Sequence, residues 1–308
     1  MDIINLINAL PGAVAQGLIW GIMAIGVYLT YRILDVADLT VDGSMCTGGA
    51  VCIMMMQAGF GVWPSMLAAV GAGMLTGLAT GIFHTFMGIP AILAGILTQL
   101  SLYSVNLKIM GKANQAISVG KYDLLVSLRY IKGVPFYQNT IFVVAIFIII
   151  LIAILYWFFG TELGCSIRAT GCNSNMSRAQ GINTNFNKVL GLMVSNGLVA
   201  LSSALLAQYQ GFADINMGRG AIVIGLAAVI IGEAVFSKIF RNFALRLLSV
   251  AFGSILYYLV LQTVIWLGID TDLLKLLSAI VVAIFLATPY WKGKYFSKPM
   301  KRGGNANA

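Results

Sequence analysis

Apolar runs of about 20 residues, each bounded by polar or turn-forming residues, recur along this chain; that is the length a helix needs to cross a bilayer. They fall at residues 12–31, 43–60, 64–83, 87–104, 140–160, 187–209, 219–236, 247–267 and 273–290. Runs such as IFVVAIFIIILIAILYWFF, residues 141–159, carry no alternation of period two, which argues against the strands of a membrane barrel. Backbone in hydrocarbon must satisfy its own hydrogen bonds, and helices then remain. The pattern predicts an all-α membrane protein, a polytopic helical bundle of about nine transmembrane segments in a single domain over 1–308.

Two places break the pattern. RILDVADLTVDGSMCTGGAV, residues 32–51, puts three aspartates and several small residues at or inside a membrane boundary. GFADINMGRGAIVIG, residues 211–225, is similarly polar and glycine-rich. Non-helical backbone at membrane depth is tolerated where it is buried in protein or lines a wet cavity. Both segments therefore read as broken or re-entrant elements, either at a solute site or gate or as packing devices. Asp42 and Ser44 lie in the first. Asp42 either lines a path or caps the helix start at 43–46. Asp214 and Asn216 lie in the second, as gate residues or as ordinary loop solvation.

Composition agrees with the pattern. Of 308 residues, 59% are hydrophobic and 9% charged, against about 25% charged in soluble domains. The net charge of +9 matters through its placement. The first Lys or Arg is Arg32, so no basic signal-peptide start is visible and the first run reads as a retained helix. The tail 291–308 carries five basic residues and no acid, which assigns the C-terminus to the cytoplasm. Nine crossings then leave the N-terminus extracytoplasmic. Loop 105–139 falls outside yet holds Lys108, Lys112, Lys121, Arg129 and Lys132; it either meets an acidic protein face or is a solvated loop. Four cysteines without a CxxC pair, and the lone His84, argue against a metal site. The cysteines read as small fillers and His84 as a residue between helices. Glu233 reads as an interfacial carboxylate, and the tryptophans as an aromatic belt.

The stretch TELGCSIRATGCNSNMSRAQGINTN, residues 161–185, is polar between two apolar runs and cytoplasmic by the charge count. Asn173 or Ser174 can cap a short helix over 174–180, and Gly181 can end it. The segment reads as turn, short helix, turn. So short a helix needs packing partners, from its own bundle or from another protein.

Thr161, Leu163, Gly164, Arg168, Ala169, Gly171, Asn173, Ala179, Gly181 and Ile182 together resemble the cytoplasmic coupling loop of ABC importer permeases, in the subgroup serving branched-chain amino acids, ribose and related solutes. DLTVDGS at 38–44 resembles the break near that family's second helix, with Asp42 where the family often has Gly. IPAILAGILTQL at 89–100 and GRGAIVIGLAAVIIGEAVF at 218–236 resemble two further family segments. NLKIMGKANQ at 106–115 is similar to the branch paired with lipoproteins for tryptophan, tyrosine or related small ligands.

The resemblance implies a multi-pass permease of the bacterial cytoplasmic membrane. It would carry a small solute, an amino acid and, by the branch that NLKIMGKANQ resembles, an aromatic one, received from an extracytoplasmic substrate-binding protein. Two permease copies, a homodimer surrounded by lipid, would enclose the path. An ABC ATPase dimer would hold ATP and Mg, and its cleft would receive the loop through Arg168, Gly171, Asn173, Asn175, Met176, Ala179 and Gly181. No cofactor is expected on this chain itself, no catalytic residue and no nucleic-acid partner. No G-x-x-x-x-G-K-[ST] loop occurs, so the chain does not hold ATP by that device. The rival reading is a standalone ion-coupled transporter. It would expect paired intramembrane charges.

Overall fold

The computed structural model describes residues 3–267, apart from 120, 121, 132–138, 237, 238 and 241, together with scattered positions between 273 and 287. Most of the expected ninth segment, 273–290, and the whole tail 291–308 lie outside the described residues. The rest consists of helices joined by turns and irregular segments, with one short ribbon. Helix α1 (Ile3–Tyr28) runs into a π-helical turn, Leu29–Ile33. Helices α2 (Val41–Gln57), α3 (Val62–Thr85) and α4 (Ala91–Met110) follow. Next come strand β1 (Asn114–Ala116), a 3-10 turn at Leu128–Ile131 and α5 (Thr140–Gly160). The polar segment holds α6 (Glu162–Cys172) and α7 (Ser174–Ala179). Helix α8 (Thr184–Gln210), strand β2 (Phe212–Asp214), α9 (Ala221–Phe236) and α10 (Phe243–Trp266) complete the described chain.

Among the described residues, six helices are long and apolar enough to cross a membrane: α1 with its π turn, α3, α4, α5, α8 and α10. The chain is an all-α polytopic membrane protein. The apolar run 140–160 coincides with α5 at both ends. Helix α4 continues past the expected boundary at 104 to Met110, where Gly111 takes a left-handed φ of 67° and ends it. Residues 105–110, expected at the start of the loop, are thus helical.

Small residues set the packing, as they do wherever helices meet without a hydrophobic driving force between them. Helices α3 and α8 run antiparallel, and a Cβ at Gly77 would overlap the carbonyl oxygen of Leu192. Gly253 of α10 has the same relation to Ala228 of α9. Helices α1 and α8 are joined by serine hydroxyls: Ser195 donates to the carbonyl of Gly26 at 2.8 Å, and Ser202 to that of Ile19 at 2.7 Å. Trp20 departs from the belt expectation. It is buried among α1 and α10 and packs on Tyr258 with ring centroids 5.9 Å apart. Trp63 and Trp157 are exposed on the apolar outside.

One end of the bundle carries the ribbon, in which β1 and β2 pair antiparallel with Gln115 opposite Ala213. Gln57, at the end of α2, donates to the carbonyl of Ala116 at 2.9 Å and so ties α2 to the same end. The opposite end carries α6 and α7.

Candidate functional site

Both interrupted segments lead into short helices, α2 of 17 residues and α9 of 16, and their starts meet. After the π turn, Asp35 adopts φ 54°, a left-handed conformation that aspartate tolerates better than most residues. The chain then re-enters the bundle in extended form, and α2 begins beside the middle of its neighbours. Gly43 abuts Gln99 and Leu102 of α4, and Ser44 reaches Asn196 near the middle of α8. From the ribbon end, β2 and the turn 215–220 descend to the same level, where α9 begins.

Asp42 joins the two starts. Its Oδ2 accepts from the N–H of Gly220 and its Oδ1 from the N–H of Ile222, each at 3.0 Å. These are donors of the first turn of α9, which have no partner within their own helix. The capping alternative holds, with a correction: the helix Asp42 caps is α9, 180 positions away, and not the start at 43–46. Cys46, one turn on, does more than fill space. Its thiol donates to the carbonyl of Ile215 at 3.1 Å, and its sulfur accepts from the N–H of Gly218 at 3.3 Å. Ser203 of α8 donates to the carbonyl of Met45 and holds α2 from the other side.

Next to this junction is a cavity of about 310 Å³, lined by Asp42, Gly43 and Cys46 of α2, Gln99, Leu100, Tyr103 and Asn106 of α4, and Ile215 and Arg219 of the descending turn. Of the four expected path or gate residues, Asp42 borders it. Ser44 points away into a buried polar network: its hydroxyl donates to Asn196 Oδ1 at 2.6 Å and lies 2.6 Å from Thr76 Oγ1. Asn196 in turn donates to Asp38 Oδ2 at 2.7 Å, while Asp38 Oδ1 accepts from the N–H of Thr40. Thr40, Thr80 and Thr98 extend the network across α3 to α4 with hydroxyl separations of 2.6 and 2.9 Å. This lattice fixes the re-entrant strand, since a buried polar group without a partner is costly. Asp214 belongs to the ribbon, where it accepts from Asn114 at 3.3 Å and closes a tight turn on the N–H of Asn216 at 2.7 Å.

The polar segment at the other end holds more helix than its turn residues suggest. Where a turn was expected, α6 runs from Glu162 to Cys172, with Thr161 accepting from the N–H of Gly164. Gly171 lies inside α6, and a Cβ there would overlap the carbonyl oxygen of Ile33, so it sets how closely α6 sits on the π turn. The short helix is where the caps put it. Asn173 accepts from the N–H of Met176 at 3.0 Å, α7 covers Ser174–Ala179, and Gly181 has φ 81°. Ser177 faces inward and its hydroxyl donates to the carbonyl of Asn173. Asn175, Met176 and Ala179 face outward, Met176 with 58% of its surface exposed. Arg178 donates to Thr184 at 2.9 Å and fastens α7 to the start of α8.

Arg168 points back toward the bundle. Its guanidinium lies 3.2 Å from Cys165 Sγ and 6.0 Å from the ring of Phe243, beside a cavity of about 500 Å³ that Arg32 and Arg246 also line. Glu233 pairs with Arg32 at 3.1 Å at this end, in keeping with its interfacial reading. His84 bridges helices as expected: Nδ1 lies 2.9 Å from the carbonyl of Ile89, and Nε2 lies 3.3 Å from Lys188 Nζ.

The sequence profile described as branched-chain amino acid transport system, permease component, matches residues 10–286. The chain belongs to this permease family. A tyrosine transport system permease protein of Clostridioides difficile is 38% identical over 91% of each chain. The fructose import permease protein FruF of Bifidobacterium longum is 26% identical over 86% of this chain and 73% of its own. Among solved structures, PsaBC from Streptococcus pneumoniae in complex with Fab matches with a TM-score of 0.54, covering 95% of this chain and 100% of that one at 17% identity; the likeness is one of fold. The protein is a membrane-spanning permease subunit of an ABC importer and not an enzyme, and the ATPase of such systems is a separate subunit. The family assignment removes the standalone ion-coupled rival. Sequence reading passed over Asn196, Asn106 and Arg219. Each is a polar residue inside an apolar or glycine-rich run, which is itself a signal.

Proposed function

We propose that this permease carries a small amino acid, an aromatic one, as half of a homodimer with nine crossings per copy. The observation that carries the path is the meeting of α2 and α9 at Asp42, partway through the bundle and beside a cavity that Asp42 and Arg219 both line. Interrupted helices that end at one depth are where transporters hold their solute. The Clostridioides difficile relative named for tyrosine supports the substrate. The ribbon end faces outward and receives solute from the binding protein, with loop 105–139 as its docking surface and the N-terminus on that side. The end with α6 and α7 and the C-terminus face the cytoplasm. The outward face of α7 enters a cleft on each ATPase, which holds ATP and Mg. Arg168, Gly171, Asn173 and Gly181 position that helix, and Asn175, Met176 and Ala179 touch the partner.

The test is uptake of radiolabelled L-tyrosine into proteoliposomes that hold the permease, its ATPase and its binding protein. Uptake that requires ATP and all three proteins is expected. Uptake by the permease alone on an ion gradient would overturn the coupled mechanism. ATP-driven uptake of fructose in place of tyrosine would overturn the substrate.

A further inference from the structure

The cavity beside Asp42 carries opposite charges that do not neutralise each other. Arg219 and Asp42 both line it. Among the described residues the one ion pair within 4.0 Å is Arg32 with Glu233, so neither cavity charge has a side-chain counter-ion. Their nearness is built into the backbone. Arg219 stands between Gly218, which packs so tightly on the Asp42 carbonyl that a Cβ there would overlap it, and Gly220, whose N–H Asp42 holds. Asp42 spends one lone pair of each oxygen on α9, and a carboxylate has about four to offer.

A second, independent observation lies on the wall supplied by α4. Asn106 is 1% exposed, and neither its Nδ2 nor its Oδ1 has a hydrogen-bond partner. Burying such a group unsatisfied is costly, and unexplained cases mark missing ligands or functional strain. Gln99 and Tyr103 lie on the same face of α4. At about 310 Å³ the cavity is at the small end of ligand sites, which run from roughly 300 Å³.

We propose that Arg219 and Asp42 clamp the carboxylate and the ammonium of an amino-acid zwitterion, while Gln99, Tyr103 and Asn106 receive its side chain. A zwitterion brings one charge to each wall and leaves the cavity neutral, which neither an anion nor a cation does. The inference rests on the permease reading above and assigns the residues that perform it.

The test uses the complex of permease and ATPase in detergent. A Leu100→Cys probe stands in the cavity wall on a background with the exposed Cys165 and Cys172 replaced by Ser, and the same background without the probe, which keeps Cys46 in the cavity lining, gives the labelling to subtract. Maleimide labelling of the probe is timed with L-phenylalanine, with phenethylamine, which lacks the carboxylate, and with hydrocinnamate, which lacks the ammonium. L-Phenylalanine is expected to protect at concentrations about tenfold lower than either analogue, the worth of one charge-assisted contact. Arg219→Gln should erase its advantage over phenethylamine, and Arg219→Lys should keep part of it. Arg219 is exposed, so these variants test the clamp without the folding risk of altering Asp42. Equal protection by all three compounds, protection by D-fructose instead, or protection unchanged in Arg219→Gln would overturn the clamp. Uptake in proteoliposomes separates the two failures. A complex that takes up tyrosine on ATP but shows no protection at the probe sinks the clamp alone, and one that takes up nothing sinks the permease reading.

Discussion

The carboxylate of Asp42, in the first turn of α2, accepts the backbone N–H of Ile222, in the first turn of α9, at 3.0 Å. One side chain thereby closes the open start of a helix that lies far away in the chain, and both interruptions of the apolar pattern become a single joint.

Replacing Asp42 is expected to loosen that joint in steps. Asp42→Asn keeps one acceptor and should cost about 1 kcal/mol, while Asp42→Ala removes both and should cost about 2 kcal/mol. Thermal unfolding of the detergent-solubilised protein, followed by intrinsic fluorescence, checks the order. Equal midpoints for the two variants would mean that the second acceptor does nothing.

Asn196 holds Asp38 and Ser44 at once. Asn196→Ala leaves a buried carboxylate without its side-chain donor and should destabilise the protein by about 3 kcal/mol. Asn196→Asp, nearly identical in shape, should be worse, because it sets a second carboxylate against the first. Monodisperse protein remaining after a heat step, read by size-exclusion chromatography, gives the ranking.

Two glycines offer a controlled pair. Gly171→Ala forces α6 away from Ile33, and overpacking of this kind costs about 1–3 kcal/mol. Gly160→Ala meets nothing within 4 Å and sits in a helix, so it should be neutral or stabilising by up to about 1 kcal/mol. The same thermal measurement separates them, and a destabilised Gly160→Ala would count against the close-approach account.

Met176→Asp changes the exposed face of α7, where 58% of the Met176 surface is open. Its unfolding midpoint should match the native protein, while ATP-driven uptake falls at least tenfold for a lost central contact at an interface. Unchanged uptake in proteoliposomes would remove α7 from the coupling surface.

The Arg32–Glu233 pair is a contrast case. Both side chains are partly in contact with solvent, so Glu233→Gln should cost less than about 1 kcal/mol. A larger loss in the melting experiment would mean that the pair is buried in an assembly.

The spans were legible because bilayer thickness dictates a run length that local composition reveals directly, as at α5. Asn173 and Gly181 were legible because capping is local and acts over three or four residues. Helix α6 was not: its glycines and serine read as turns, and it folds because Gly171 lets it lie against Ile33, a contact some 140 positions away. Asp42 was legible as a cap but not as the cap of α9, since nothing in a sequence says which distant N–H a carboxylate will meet. Trp20 went to the core because α10 offered it Tyr258. Asn106, in an apolar stretch, and Arg219, in a glycine-rich one, were hidden in plain view; among the described residues Asn106 has no hydrogen-bond partner and Arg219 no ion pair.

Helix α8 runs without a break from Thr184, to which Arg178 of α7 is tied, to Gln210, with Gly211 alone between it and β2. At 1.5 Å per residue that is a rod about 40 Å long. It has no hinge between the surface at one end and the ribbon at the other, and glycine packing clamps it to α3 along its flank. On the coupling role proposed above for α7, this rod is the continuous element that would link it to β2 and the turn carrying Ile215 and Arg219. The two short helices α2 and α9 lie at the far end of that link, joined to each other at Asp42.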